Sequence, residues 1–317
     1  RTSPSISPWF GRLVAKALCG VWEELGRPDP FWVIEVGAGL GDLAAGAMEA
    51  AGPLAGALRW RFVEQFERVA AWQGRRLGHA AQRAEWTSAL GEGPPVEGCV
   101  VANEVLDSFP VHVLEVARGG GPREVYVDLE GDRFVEVLGP LSEDALADPS
   151  GRGAACLDAG NRFEVCLQSE EWFAQASRAL RRSFLFAFDY GDLKPSLWLR
   201  QPRGSVESPG PEGLSPSPLE DPGRKDITAR VNFSTVLRAA SARGFQPGPL
   251  VSQRDWLRAL GLTDVAGELD LARTRAAQAG RVEDEVALGQ EYDDLLEFCT
   301  EGEMGDLFVL KATELDR

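Results

Sequence analysis

Asn103, Glu104 and Asp107 fall together in the run Asn103-Glu-Val-Leu-Asp-Ser-Phe-Pro110, directly after the apolar stretch Gly98-Cys-Val-Val-Ala102. An amide fixes orientation through its donor and acceptor together, and two carboxylates can clamp a cationic nucleophile or take the proton it loses. A second set lies upstream. Gly37, Ala38, Gly39 and Gly41 follow the apolar run Phe31 to Val36, whose Glu35 is its one acid, and Glu64 and Gln65 follow the run Leu58 to Val63. Glycines remove side chains where a strand turns sharply into a helix, so backbone N–H groups and the positive end of the helix dipole face a polar or anionic ligand edge. Glu64, at the tip of the next strand, offers two acceptors to the vicinal hydroxyls of a ribose. Ser88, after a third, weaker strand pattern at Ala84 to Thr87, falls where an adenine edge would lie. The glycine spacing G-x-G-x-G differs from the G-x-G-x-x-G of dinucleotide turns and is the form usual in S-adenosylmethionine (SAM) sites.

Those residues need strands that end at one edge. The runs Phe31 to Val36, Leu58 to Val63, Ala84 to Thr87, Gly98 to Ala102 and Phe184 to Phe188, alternating with helical patterns at Asp42 onward, Phe66 to Leu77 and Glu170 to Arg181, predict an α/β fold with a mostly parallel, Rossmann-like sheet of seven strands. In such a sheet ligands bind outside the carboxyl ends of the strands. Residues 1–30 read as an N-terminal helical segment packing on the core, 31–110 as the cofactor-binding half, and 169–191 as the core helix and fifth strand. Between them, alternating short strands at Val111 to Val116, Glu124 to Leu129, Phe134 to Leu138 and Phe163 to Leu167 predict an inserted β-meander over 111–168, on the substrate side. Residues 192–225, rich in Pro, Gly and Ser, read as a mobile loop or lid. Residues 226–317 read as the C-terminal part of the core with a helical insertion, and the abrupt polar start suggests that native residues precede Arg1.

At 317 residues the chain is long enough for a full α/β core. Its net charge of −16 argues against a nucleic-acid or anionic-membrane partner, and a basic protein or peptide substrate suits it better. The acidic run Glu283 to Asp306 reads as a solvated helix face and loop. No apolar run is long enough to span a bilayer and no signal peptide is evident, so the reading is cytoplasmic. Five cysteines without paired spacing (Cys19, Cys99, Cys156, Cys166, Cys299) and two histidines (His79, His112) point to reduced thiols and to no metal centre. His112 reads as a partly buried structural histidine.

Several segments, in order, resemble the MidA-like family of SAM-dependent methyltransferases, whose mitochondrial members are complex I assembly factors that methylate a protein arginine. They are Thr2-Ser-Pro-Ser-Ile-Ser-Pro-Trp-Phe-Gly11, Ile34-Glu-Val-Gly-Ala-Gly-Leu-Gly41, Asn103-Glu-Val-Leu-Asp-Ser-Phe-Pro-Val111, Asp189-Tyr-Gly191, Asp226-Ile-Thr-Ala229 and Glu303-Met-Gly-Asp-Leu-Phe308. The resemblance implies a class I methyltransferase core with SAM as cofactor and S-adenosylhomocysteine (SAH) as product. It implies a SAM site at Gly37, Gly39, Gly41 and Glu64 and a substrate face near Asn103 to Asp107 and Asp189-Tyr190; taken with the residues themselves, the expectation is cofactor contacts at Glu35, Gly37, Ala38, Gly39, Gly41, Glu64, Gln65, Ser88 and Asn103, catalytic roles for Asn103, Glu104 and Asp107, and a substrate side at Ser3, Asp189, Tyr190, Asp226 and Arg230. Departures cluster on that side: Ser5 where the family has an acid, Arg230 and Asn232 where it has His and Asp, and Pro195-Ser-Leu-Trp198 where it has Gly-Thr-Leu-Arg. The expected reaction is N-methylation of a protein arginine. A small molecule or modified peptide as acceptor, a SAM-binding assembly factor without turnover, and a nicotinamide-binding protein stand as alternatives, and a homodimer is an open option.

Overall fold

Phe31–Val36 carries no polar residue but Glu35, and it becomes a central strand buried on both faces, as such runs do in parallel sheets. The computed structural model describes residues 2–119, 121–146, 157–210, 213–215, 217–300 and 304–315. Arg1, Cys156 and the Glu301-Gly-Glu303 portion of the acidic run lie outside the described residues, as do 211, 212 and 216 of the expected lid. Helices α1 (Ser3–Ile6) and α2 (Pro8–Glu24) lead into β1 (Phe31–Val36), followed by α3 (Asp42–Glu49), β2 (Leu58–Val63), α4 (Glu67–Leu77), β3 (Ala84–Thr87) and β4 (Val96–Asn103). Next come β5 (His112–Val116), β6 (Pro122–Glu130), β7 (Arg133–Gly139), β8 (Arg162–Val165), α5 (Gln168–Ala179), β9 (Leu180–Asp189), β10 (Gly191–Asp192), α6 (Ser196–Arg200), β11 (Ser208–Gly210), β12 (Gly213–Ser215), β13 (Val231–Asn232) and α7 (Phe233–Ala242). The chain closes with β14 (Gln246–Pro247), β15 (Val251–Ser252), α8 (Gln253–Ala259), α9 (Leu262–Gln278), α10 (Val282–Leu296) and β16 (Phe308–Glu314).

The chain divides into two units, one of residues 1–104, 174–189 and 244–317, the other of 105–173 and 190–243. The first holds an eight-stranded sheet in the order β14-β16-β9-β4-β1-β2-β3, with β15 also on β16. Strands β9, β4, β1, β2 and β3 run parallel, and β16 is antiparallel to β9. The sheet has eight strands where seven were expected because its edge opposite β16 is shared by two short pieces, β14 and β15. Pro247 and Pro249 lack the N–H groups that a continuous strand would need there. Strand β9 also starts earlier than expected, at Leu180. The exposed Arg181 and Arg182 mimic the last turn of a helix, but Leu180 pairs with Val96 of β4, and a register shift between Val96 and Gly98 absorbs the irregularity.

Helices α2 and α3 cross on glycine. A Cβ at Gly11 would stand 2.9 Å from the Leu43 carbonyl oxygen, and one at Gly46 would stand 3.0 Å from that of Pro8, so the two backbones touch. The apolar face of α2 packs Phe10 against Phe188 of β9, ring centroids 5.4 Å apart, which ties the N-terminal segment to the core.

In the second unit, β5–β8 form a four-stranded antiparallel sheet in the order β7-β6-β5-β8. Its core joins Leu114, Leu146 and Phe163 to Leu197 and Trp198, with the Phe163 and Trp198 rings 4.9 Å apart. Leu197 and Trp198 belong to α6, so the stretch read as a mobile loop carries a buried aromatic anchor that its Pro, Gly and Ser content hides. A parallel pair, β10 with β13, sets Gly191 beside Val231. Among the described residues, no helix is long and apolar enough to cross a membrane, and Cys19, Cys99, Cys166 and Cys299 are free thiols.

Candidate functional site

The glycine turn is built by backbone conformation. Gly37, Gly39 and Gly41 have φ of 66°, 52° and 86°, left-handed values that a side chain would strain, and Gly41 caps α3. The Gly41 N–H donates to the Ala38 carbonyl at 2.8 Å, closing the turn. A Cβ built on Gly39 meets nothing within 4 Å, so the backbone there opens onto free space that a ligand can fill.

Below the turn, Glu35 is 3% exposed and accepts the Trp60 indole N–H at 2.8 Å. Its carboxyl is thus directed at β2, and burial pushes its pKa up to about 8 against the opposing pull of that hydrogen bond. Glu64, half-buried at the end of β2, accepts the Phe66 backbone N–H at 2.9 Å and the Gln73 amide at 3.3 Å. Gln65 beside it is exposed. Ser88 turns its N–H and hydroxyl toward Glu92, at 2.9 and 3.0 Å.

Strand β4 ends in Asn103, 9% exposed, whose Nδ2 donates to Glu104 Oε1 at 3.0 Å while its buried Oδ1 has no partner among the described residues. A buried acceptor left unpaired costs about 1–3 kcal/mol, which a ligand donor would recover. Glu104 itself holds φ of 52°, a conformation that costs a non-glycine residue about 1–3 kcal/mol and that clusters at functional sites. Its N–H donates to the Phe188 carbonyl at 2.8 Å, and its Oε1 also accepts the Ser3 backbone N–H at 3.1 Å. Ser3 is fully buried and is fixed in turn by the Gln253 amide, which donates to the Ser3 hydroxyl at 3.0 Å. The N-terminal turn thus aims the carboxylate that follows β4. Asp189, at the tip of β9, is 1% exposed.

The remaining candidates belong to the second unit. Burial raises the Asp107 carboxyl to about 6 against backbone hydrogen bonds that lower it, and its carbonyl accepts the Ala229 N–H at 2.9 Å. The Tyr190 carbonyl accepts the Val231 N–H at 2.7 Å, and the Ser205 hydroxyl accepts the Arg230 N–H at 3.0 Å. Asp226 is exposed. Asn232 caps α7 by accepting the Thr235 N–H at 3.3 Å, which gives this departure from the family pattern a structural use. His112 pairs with Glu124 at 2.7 Å, as befits a structural histidine.

Sequence reasoning passed over Gln73 and Gln253, both fully buried. Their one signal was an amide on a helix stripe that otherwise faces the core; Gln73 is four residues before Leu77, the other buried residue of α4. A cavity of about 920 Å³ lies elsewhere, beside Pro28, Trp32, Arg61, Glu85 and Val96 near the starts of β1 and β4. Among the described residues, no cluster of three or more His, Cys, Asp or Glu is arranged to hold a metal ion.

A glycine turn opening onto free space, a strand-tip carboxylate and an orphaned strand-tip amide oxygen fit SAM, and comparison with known proteins agrees. Residues 13–249 match the model of a family of S-adenosyl-L-methionine-dependent methyltransferases, the MidA-like group. The chain belongs to this family. A crystal structure of a COG1565 superfamily member from Burkholderia thailandensis, bound to S-adenosyl-homocysteine, aligns over 100% of this chain and 79% of its own with 27% identity and a TM-score of 0.85. The mitochondrial protein arginine methyltransferase NDUFAF7 homolog of Drosophila melanogaster is 26% identical over 77% of this chain, and its Rattus norvegicus counterpart is 26% identical over 82%. The chain spans 60% and 64% of the length of those two relatives. One expectation is corrected here. The curated relatives are named as mitochondrial proteins, which overturns the cytoplasmic reading. Reduced thiols and the lack of an apolar run are common to both compartments, so they could not tell one from the other.

Proposed function

We propose that this MidA-like chain is a SAM-dependent methyltransferase that N-methylates an arginine side chain of a protein. The observation that carries the proposal is the orphaned Asn103 oxygen beside the strained, hydrogen-bonded Glu104 at the end of β4. The glycine turn and Glu64 would hold the methionine and ribose parts of SAM, and the Asn103 Oδ1 would accept from its amino group. When bound, SAM supplies an electrophilic methyl on a sulfonium and leaves as SAH.

Glu104 and Asp107, three residues apart in sequence, are assigned to the guanidinium. A guanidinium is protonated throughout the physiological range, so carboxylates must pair with it and take the proton released as the new N–C bond forms. Ser3 positions Glu104 through its backbone N–H, and Asp189, Tyr190, Asp226 and Arg230 are assigned to the acceptor's surroundings. A protein acceptor is favoured by the two arginine methyltransferase relatives and by the acidic balance of the chain.

The test is incubation with methyl-labelled SAM and, separately, a protein extract and a metabolite extract, followed by mass analysis. Label in methylarginine peptides is expected. Label in a metabolite alone would overturn the acceptor, and absence of SAH formation in both would overturn turnover. The proposal includes a homodimer through the face of β6 and β7, where Leu129, 59% exposed, is paired in register with Phe134, 43% exposed. Sedimentation of the wild type as a dimer and of Leu129→Asp as a monomer is expected, and a monomeric wild type contradicts it.

A further inference from the structure

Three pieces of the cofactor side meet on one buried amide. Gln73 of α4 is 0% exposed. Its Nε2 donates to the Gly39 carbonyl of the glycine turn at 3.0 Å and to Glu64 Oε2 at 3.3 Å, while its Oε1 accepts the Trp86 indole N–H of β3 at 2.8 Å. Its Cα, Cβ and Cγ also lie 3.5–3.6 Å from where a side chain on Gly41 would begin.

The orientation of a glutamine amide is set by its neighbours, and here they leave one choice. An indole N–H only donates, so the oxygen must face Trp86 and both hydrogens of the nitrogen must face Gly39 and Glu64. Trp86 is itself held by stacking on Phe62, ring centroids 5.3 Å apart at 14°. The Phe66 backbone N–H takes the other Glu64 oxygen at 2.9 Å. Each carboxylate oxygen is thereby tethered once and keeps lone pairs for a further donor.

We infer that Gln73, oriented by Trp86, is the positioning residue that aims Glu64 at the ribose hydroxyls of the cofactor and locks that carboxylate to the glycine turn. This rests on the proposed SAM site and on Glu64 as the ribose acid. A carboxylate tied to a rigid amide loses no freedom on receiving a diol, whereas a free one must be ordered at the moment of binding. Gln73 therefore sets selectivity for the ribose hydroxyls rather than overall affinity.

The experiment titrates SAH and its 2′-deoxy and 3′-deoxy analogues calorimetrically into the wild type and into Glu64→Ala, Gln73→Leu and Trp86→Phe. The wild type is expected to prefer SAH over each deoxy analogue by about 10-fold or more, because a missing hydroxyl leaves a charged acceptor unpaired. Gln73→Leu is expected to cut that preference below about 3-fold while moving the affinity for the deoxy analogues by less than about 3-fold. Trp86→Phe, which keeps the stacked ring but frees the amide to flip, should fall between. A structural role alone would weaken SAH and the deoxy analogues by one common factor; an unchanged preference in Gln73→Leu therefore overturns the inference. Should Gln73→Leu not fold, as judged by its circular dichroism and melting profile, Trp86→Phe decides by the same ratio. Failure of the underlying reading looks different. The wild type then either does not bind SAH, or Glu64→Ala keeps the full preference, and each of these overturns the inference with its premise.

Discussion

The residues proposed for the cofactor and those proposed for the acceptor differ in how they are held. Among the former, Glu64 and Gln73, in the first unit, each have two or more hydrogen-bonded partners before any ligand arrives. In the second, Asp226 is exposed and Arg230 is held through its backbone to Ser205. Preorganised dipoles suit a ligand that is the same at every turnover. Exposed, loosely held polar groups suit a protein acceptor whose bulk lies outside the enzyme.

Three substitutions test whether that division is real, and a fourth tests the buried acid beneath the glycine turn. Glu104→Gln should have the largest effect, lowering kcat about 10²- to 10³-fold while SAH affinity measured by calorimetry stays within about 3-fold. Equal losses in both would erase the division. Glu64→Ala is the mirror case. Removing a charged acceptor should weaken SAH about 10- to 100-fold, with kcat at saturating SAM nearly unchanged.

Asp107 gives a third test through pH. Burial raises its carboxyl to about 6, and the pairing role needs the ionised form, so kcat/KM should be level above pH 6 and fall about tenfold per unit below it. Asp107→Asn should give a lower profile without that limb; a limb that persists assigns it to another group.

The smallest effect concerns Glu35, which burial raises from 4.5 to about 8. The folded chain keeps that proton across a range in which the unfolded chain has lost it. Stability should therefore fall as pH rises from about 4.5 to about 8, by up to about 1.4 kcal/mol per unit, and level off above. Glu35→Gln, whose amide oxygen can still accept from Trp60, should show a shallower decline in melting temperature between pH 6 and 8. Equal slopes would remove Glu35 from this account.

The contrast also explains what could be read from the chain. The strands ending in Val36, Val63 and Asn103 were legible because apolar runs and glycines are local signals, and their order predicted the parallel sheet. Glu35 shows the limit. Its position on the strand was legible, but the bond to Trp60 depends on the register of β1 with β2, which no local pattern states. Gln73 was invisible for the same reason, since Gly39, Glu64 and Trp86 come from three separate elements. The Pro, Gly and Ser of the stretch after β10 outweighed Leu197 and Trp198, so the short helix α6 that buries those two residues read as loop. Compartment had no signal within the core at all.

The most direct measurement is calorimetric titration of the purified chain with SAH and, in parallel, NADH. One SAH per chain, bound at least tenfold more weakly by Glu64→Ala, with no heat from NADH, is the predicted result. Binding of NADH without SAH, or SAH binding indifferent to Glu64, would contradict the claim that the glycine turn and the β2 acid form the cofactor site.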